Sequence, residues 1–255
     1  MKLLAAAGAV LLAACSGCAS AVGSLADLSV YDRSEGRTLP VHWHEGRAYV
    51  IGRPGNEYQL TLRSRQGEDL LAVLSVDGVN VITGQTASVQ QSGYVLVPRR
   101  ALEVKGWRKS LARTAAFYFT LLGDSYAART GRPENVGAIG VALFRRKPSE
   151  PAPALSAPFP GREKSSADSA GTAAPRAAES RIGTGHGRDE TSYARTVAFE
   201  RATSEPAETL VIYYDSCSNL LARGVLRDLA APCEVRPAPH PAPNPFPGFV
   251  PDPPA

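Results

Sequence analysis

His42 and His44 alternate with Trp43, and Glu45 follows directly. On an extended strand both imidazoles fall on one face, about 7 Å apart along the backbone, with Val41 and Trp43 on the other. Two neutral imidazoles and a carboxylate are ligand types that Zn²⁺ or another divalent transition metal takes. The other histidines, His186 and His240, are remote in sequence, so a third histidine ligand depends on the fold. Without one the pair is an exposed strand face, and the expectation is a chain with no cofactor.

Gly183-Thr184-Gly185-His186-Gly187 places three glycines at alternate positions. Such a string permits positive φ and close backbone approach, and its N–H groups can hold an anion. His186 has the chemistry of a general base, with Asp189 as its orienting carboxylate. No Gly-x-Ser-x-Gly elbow supplies a nucleophile, however, and the string is not set between a buried strand and a helix as a dinucleotide fingerprint is. It reads as a tight loop, with Gly183, Gly185, His186 and Gly187 as its candidate binding residues, leading into the last pair of strands.

The densest charge lies between residues 99 and 113. Arg99, Arg100, Lys105, Arg108, Lys109 and Arg113 face a single Glu103, with Trp107 among them. This set has the chemistry to clamp an anionic polymer, with the indole stacked on a sugar or base. Its plainer reading is a solvated hairpin face over a core tryptophan, the charges discouraging edge-to-edge aggregation.

Cys217 and Cys233 are the two cysteines outside the leader region. In an oxidising compartment they could close a loop worth about 3 kcal/mol, and the spacing is equally compatible with free thiols.

Cys15 has a different context. Lys2 and the apolar run Leu3 to Ala14 suit the h-region of an export signal and are too short to span a bilayer. Leu12-Ala13-Ala14-Cys15 matches a bacterial lipobox, which makes Cys15 the expected acylated N-terminus and acyl chains the membrane anchor. Ser16 in the next position suits outer-membrane sorting. Cleavage after Ala19-Ser20-Ala21, leaving a soluble periplasmic protein, is the alternative.

Charge and proline divide the rest of the 255 residues. Residues 38–147 carry 15 Lys+Arg against 8 Asp+Glu, whereas 148–255 carry 10 against 13, so only the middle of the chain is basic. Six of the 21 prolines fall in 148–180 and ten in 231–255, where periodic apolar residues are almost absent. Such segments bury too little surface to offset ordering entropy. The expected organisation is a signal peptide at 1–14, a tether at 15–37, a main domain at 38–147 and a disordered linker at 148–180. A small β-hairpin with a short helix, packing on the main domain or extending one of its sheets, follows at 181–230, and a proline-rich tail at 231–255. Phe246 and Phe249 in that tail could dock on a partner or fold back.

Strand signals dominate 38–147. Tyr58, Leu60 and Leu62 alternate with polar residues, Leu70–Val76 is almost continuously apolar, and Asp77-Gly78 is a turn before Val79–Thr83. Further strands are expected at 93–97, 102–107, 115–120 and 138–144, with a brief helix at 124–129. Two more are expected at 197–203 and 208–215, then a helix at 216–223. The implied class is all-β: a β-sandwich, Ig-like or jelly-roll-like, with a small C-terminal β-rich extension and disordered linkers.

Several strings together, Ser75–Gly84, Gly106–Ser110, Ala115–Thr120, Arg129–Pro133 and Gly183–Gly187, resemble a group of proteobacterial envelope proteins of unknown function, over about two thirds of the chain. The resemblance implies a bacterial exported protein and carries over no catalytic residue. The expected role is a binding or interaction module in the cell envelope, its partner an envelope protein or an anionic envelope polymer. An export signal argues against nucleic acid. A hydrolase or metal-dependent enzyme built on His186 or on His42 and His44 is the rival from another class, and a purely structural envelope component is a third.

Overall fold

The computed structural model describes residues 20–148, 181–226 and Cys233. The leader, Cys15, nearly all of the linker, His240 and the tail phenylalanines lie outside the described residues.

The first strands are β1 (Ala21–Val22), β2 (Ala26–Asp32), β3 (Arg37–Thr38), β4 (His42–His44), β5 (Arg47–Ile51) and β6 (Glu57–Ser64). Then come β7 (Leu70–Val76), β8 (Val79–Asn80), β9 (Tyr94–Leu96), β10 (Ala101–Val104), β11 (Gly106–Arg108) and β12 (Arg113–Leu121). Helix α1 (Tyr126–Arg129) precedes β13 (Ala138–Arg145), and β14 (Ile182–Thr191), β15 (Glu208–Asp215) and helix α2 (Cys217–Ala222) follow.

These strands make an all-β sandwich of two sheets. The first sheet runs β1–β2–β6–β12–β11, with β3 against β2, β10 against β6 and β14 against β12. The second runs β4–β5–β15–β13–β7–β8, with β9 paired to β7. Leu28, Val30, Leu60, Leu62, Phe117 and Phe119 of the first sheet share one buried cluster with Leu74, Val76, Ile139, Leu143 and Ile212 of the second. Interleaved side chains from two inner faces are what bury both sheets at once.

The continuous apolar run of β7 has a specific cause. Leu70, Ala72, Leu74 and Val76 enter the main core. Leu71 and Val73 join Ala142 and Phe144 in a second cluster, against which Val95 and Phe199 pack. A strand covered on both faces needs no polar alternation. The β7–β8 turn is built by Asp77 and Gly78, both at positive φ (53° and 73°), as a two-residue hairpin of the primed type requires.

Four expectations are corrected. The tether assigned to 15–37 contains β2, in which Ala26, Leu28, Val30 and Asp32 are buried in strict alternation. Residues 181–230 do extend the sheets, as one expectation had it, but not as a hairpin. Ile182–Thr191 pairs with β12 in the first sheet, while Glu208–Asp215 lies between β5 and β13 in the second. The glycine string is strand, not loop, and none of its glycines has positive φ. Instead, an added Cβ on Gly185 would collide with the Tyr118 ring, and one on Gly183 would lie 2.5 Å from Ser125 Cβ. Finally, 197–203 forms no strand beyond one bridge between Arg146 and Arg201, because these residues belong to the crossing from one sheet to the other.

Candidate functional site

The histidine pair sits on β4, at the edge of the second sheet. The expected facing is reversed: Trp43 is 55% exposed, while both imidazoles are half-buried against the sheet. Desolvation lowers the His42 pKa. Glu45 occupies the β4–β5 turn at positive φ, its carboxylate 3.8 Å from His44 Nε2. Among the described residues no group of three or more His, Cys, Asp or Glu is arranged to hold a metal ion.

The segment 99–113 does not present one basic face. Trp107 is 4% exposed, its indole N–H donating to the Gly185 carbonyl at 3.2 Å and its ring packed edge-on against Phe117. Lys109 and Arg113 both face Asp189, at 2.8 and 3.5 Å. The Lys109 hydrogen bond holds Asp189 below the usual carboxylate range. Lys105 lies 3.7 Å from Glu103. Arg99 and Arg100 have no carboxylate partner among the described residues. Asp189 is held by two cations and its pKa is lowered also by the charge of His186, whose ring stacks 5.8 Å from that of Tyr126. Cys217, at the start of α2, is disulfide-bonded to Cys233, their Cα atoms 5.5 Å apart.

Between the sheets lies a buried polar chain that sequence reading missed. Tyr214 donates to Asp77 Oδ1 at 2.6 Å, Thr184 Oγ1 lies 2.7 Å from the Tyr214 oxygen, and the Tyr58 phenol lies 2.6 Å from Thr184 Oγ1. Because Tyr214 spends its proton on the carboxylate, the order of donation runs from Tyr58 through Thr184 to Tyr214. The Thr184 and Gly137 amides also donate to Asp77. Burial raises the Asp77 pKa to about 6 against these bonds, and burial likewise pushes both phenols up. The chain ties β14 of the first sheet to β15 and the turn after β7 in the second, so it serves as a strut between the sheets.

A concave surface lies elsewhere. A groove of about 410 Å³ lies between β9 and the crossing segment that leads from β14 to β15. That segment is pinned at both ends. Ser192 and Ala194 donate to the Ala112 and Leu111 carbonyls, and Lys147 and Ala202 bond it to the end of β13. Gly93 lets β9 lie flat, since a Cβ there would strike the Ala72 carbonyl.

Three arginines line the groove and no carboxylate does. Arg108, on β11, donates to the Tyr94 hydroxyl at 3.1 Å and to the Ser192 carbonyl and hydroxyl, with its guanidinium over the Tyr94 ring. Arg201 donates to the carbonyls of Val89 and Gln91 at 2.8 and 2.6 Å and to the Gln90 side chain, and stacks on Phe144 at 4.2 Å. Desolvation lowers its pKa. Arg195 is exposed. Every partner named for Arg108 and Arg201 is neutral, so both charges are held rigidly without a counter-ion. In a concave, partly desolvated setting such charges act more strongly than on open surface. Leu71, Val95, Val197 and Phe199 add apolar wall.

Sequence reading singled out Arg108 together with its neighbours between 99 and 113, and did not single out Arg195 or Arg201, which line this groove with it. No local pattern links residues 108 and 201; only the crossing between sheets joins them. Compared with known protein families, curated proteins and solved structures, the chain matches none.

Proposed function

We propose that this chain is a non-enzymatic binding module of the bacterial envelope, exported and anchored by acylation of Cys15, with an anionic ligand seated in the groove beside β9. The observation that carries the reading is the lining: Arg108, Arg195 and Arg201 with no acidic residue. Uncompensated positive charge in a cleft concentrates anions and orients them. The neutral hydrogen bonds to Arg108 and Arg201 hold the guanidiniums in place while leaving their charge unneutralised. The apolar wall supplies contact area that a flat basic surface lacks, and the volume falls in the range of small-ligand clefts.

The test is titration of the purified full chain with hexaglutamate and with hexametaphosphate at rising salt. Saturable binding that weakens with salt, and weakens at least tenfold in Arg195→Glu and Arg201→Gln, is expected. The unfolding midpoint of each variant establishes that it is folded. No binding of either anion by the wild-type chain would overturn the reading. The mass of the N-terminal peptide from cell membranes tests the anchor, which requires diacylglycerol on Cys15.

A further inference from the structure

We infer that the groove receives an extended acidic segment of a partner protein, which adds as a strand to the free edge of β9. This rests on the reading of the groove as an anion site and names the ligand class.

The backbone carries the argument. Strand β9 pairs with β7 through Leu70↔Leu96, Leu71↔Val95 and Ala72↔Tyr94, and with no other strand among the described residues. Its opposite edge therefore presents main-chain N–H and C=O groups from alternate residues. Tyr94 and Leu96 pack with the main core while Val95 packs with the second cluster, so β9 keeps its alternation up to that edge. β9 contains no proline or lysine and all three of its residues pair in regular register, so its shortness is what limits the edge it offers.

The facing wall has the same character. Between Ala194, which donates to Leu111, and Glu200, whose carbonyl accepts from Lys147, residues 195–199 make no backbone hydrogen bond to any described residue. Gly93, Tyr94 and Val95 thus line one side of the groove, and Arg195, Thr196 and Val197 the other. A peptide laid between them can satisfy its own amides on both flanks. A phosphate polymer carries acceptors only and would leave the carbonyls along both walls unpaired.

Charge chooses the side chains. With three arginines and no carboxylate in the lining, aspartate or glutamate at alternate positions is favoured, and Val95, Val197 and Phe199 receive apolar residues between them. Three residues of edge strand span about 10 Å, enough to register three or four residues of ligand.

The experiment is amide hydrogen exchange and affinity measurement on the full chain. The probe is a library of eight-residue peptides alternating acidic and apolar residues, with hexaglutamate and hexametaphosphate as comparators. A second probe is the best-binding peptide with alternate amides N-methylated. The expected result is tighter binding of the alternating peptide than of either comparator. It includes protection of amides within 94–96 and 195–199, at least tenfold weakening on N-methylation, and a similar loss in Arg195→Glu. Equal binding of all anions with no amide protection would overturn strand addition while leaving the anion site standing. Tighter binding of hexametaphosphate than of any peptide would reassign the groove to a phosphate polymer and also overturn the inference. No binding of any probe would remove both the inference and the reading beneath it.

Discussion

The Tyr214 hydroxyl donates to Asp77 Oδ1 at 2.6 Å, linking the turn after β7 to the strand that the chain adds last to the second sheet. The same carboxylate accepts the Thr184 amide of β14, which belongs to the first sheet. One acidic side chain therefore ties its own two-residue turn to two segments 107 and 137 residues further along the chain.

A pH dependence of stability follows from Asp77. Its native pKa of about 6 exceeds the ordinary 3.8, so between those values the native state binds more protons than the unfolded chain. Its stabilising contribution is full below about pH 4 and is lost as pH rises through 6. The shift corresponds to about 3 kcal/mol. Urea denaturation at pH 5 and pH 7.5 should show this downward slope, and Asp77→Asn should flatten it. Thr184→Val should cost about 1–3 kcal/mol at either pH, because it strands the Tyr58 donor and the Tyr214 acceptor. A slope unchanged in the asparagine variant would assign it to other carboxylates.

Gly185→Ala should destabilise the fold by about 1–3 kcal/mol through the clash with Tyr118, measured by denaturant midpoint. Gly67→Ala, at a glycine with open space and ordinary φ, should be neutral or slightly stabilising. Adding Tyr118→Ala to Gly185→Ala should produce a positive coupling in a double-mutant cycle. Additive costs would mean that the ring is not what the glycine accommodates.

Reduction of Cys217–Cys233 should lower stability by up to about 3 kcal/mol, the loop-closure value for their separation of 16. The change should be concentrated near α2, where Leu220 and Val225 pack on Tyr49 and Ile51. Hydrogen exchange with and without reductant checks this. Uniform protection in both states would show that the bridge does not brace the helix.

Arg99→Ala/Arg100→Ala should leave peptide or oligoanion affinity within about twofold, since neither residue lines the groove. Arg201→Gln should lower it at least tenfold and reduce the salt dependence. The reverse pattern would move the anion site to the 99–113 face.

Much of the local structure was legible in residue pattern. Alternation marked β6, an unbroken apolar run marked β7, and Asp77-Gly78 marked the turn between β7 and β8. Those features depend on neighbours a few residues apart, where backbone geometry alone sets the period. The same alternation is present in β2, within the stretch expected to be a tether.

What tertiary structure decided is which elements meet. Trp43 and Trp107 both lie on short strands, yet one is 55% and the other 4% exposed, because only the second is covered by β14 and α1. Strand β15 reaches the centre of the second sheet beside β5 and β13, a placement set by the hydrophobic faces it buries and invisible to any short window. The convergence of Arg108 and Arg201 on one groove is of that second kind. Side-chain period is a property of the strand itself, whereas pairing partners are chosen by burial across the whole chain. The sequence by itself therefore determined β6, β7 and the turn after β7, and only the packed sandwich determined the candidate site.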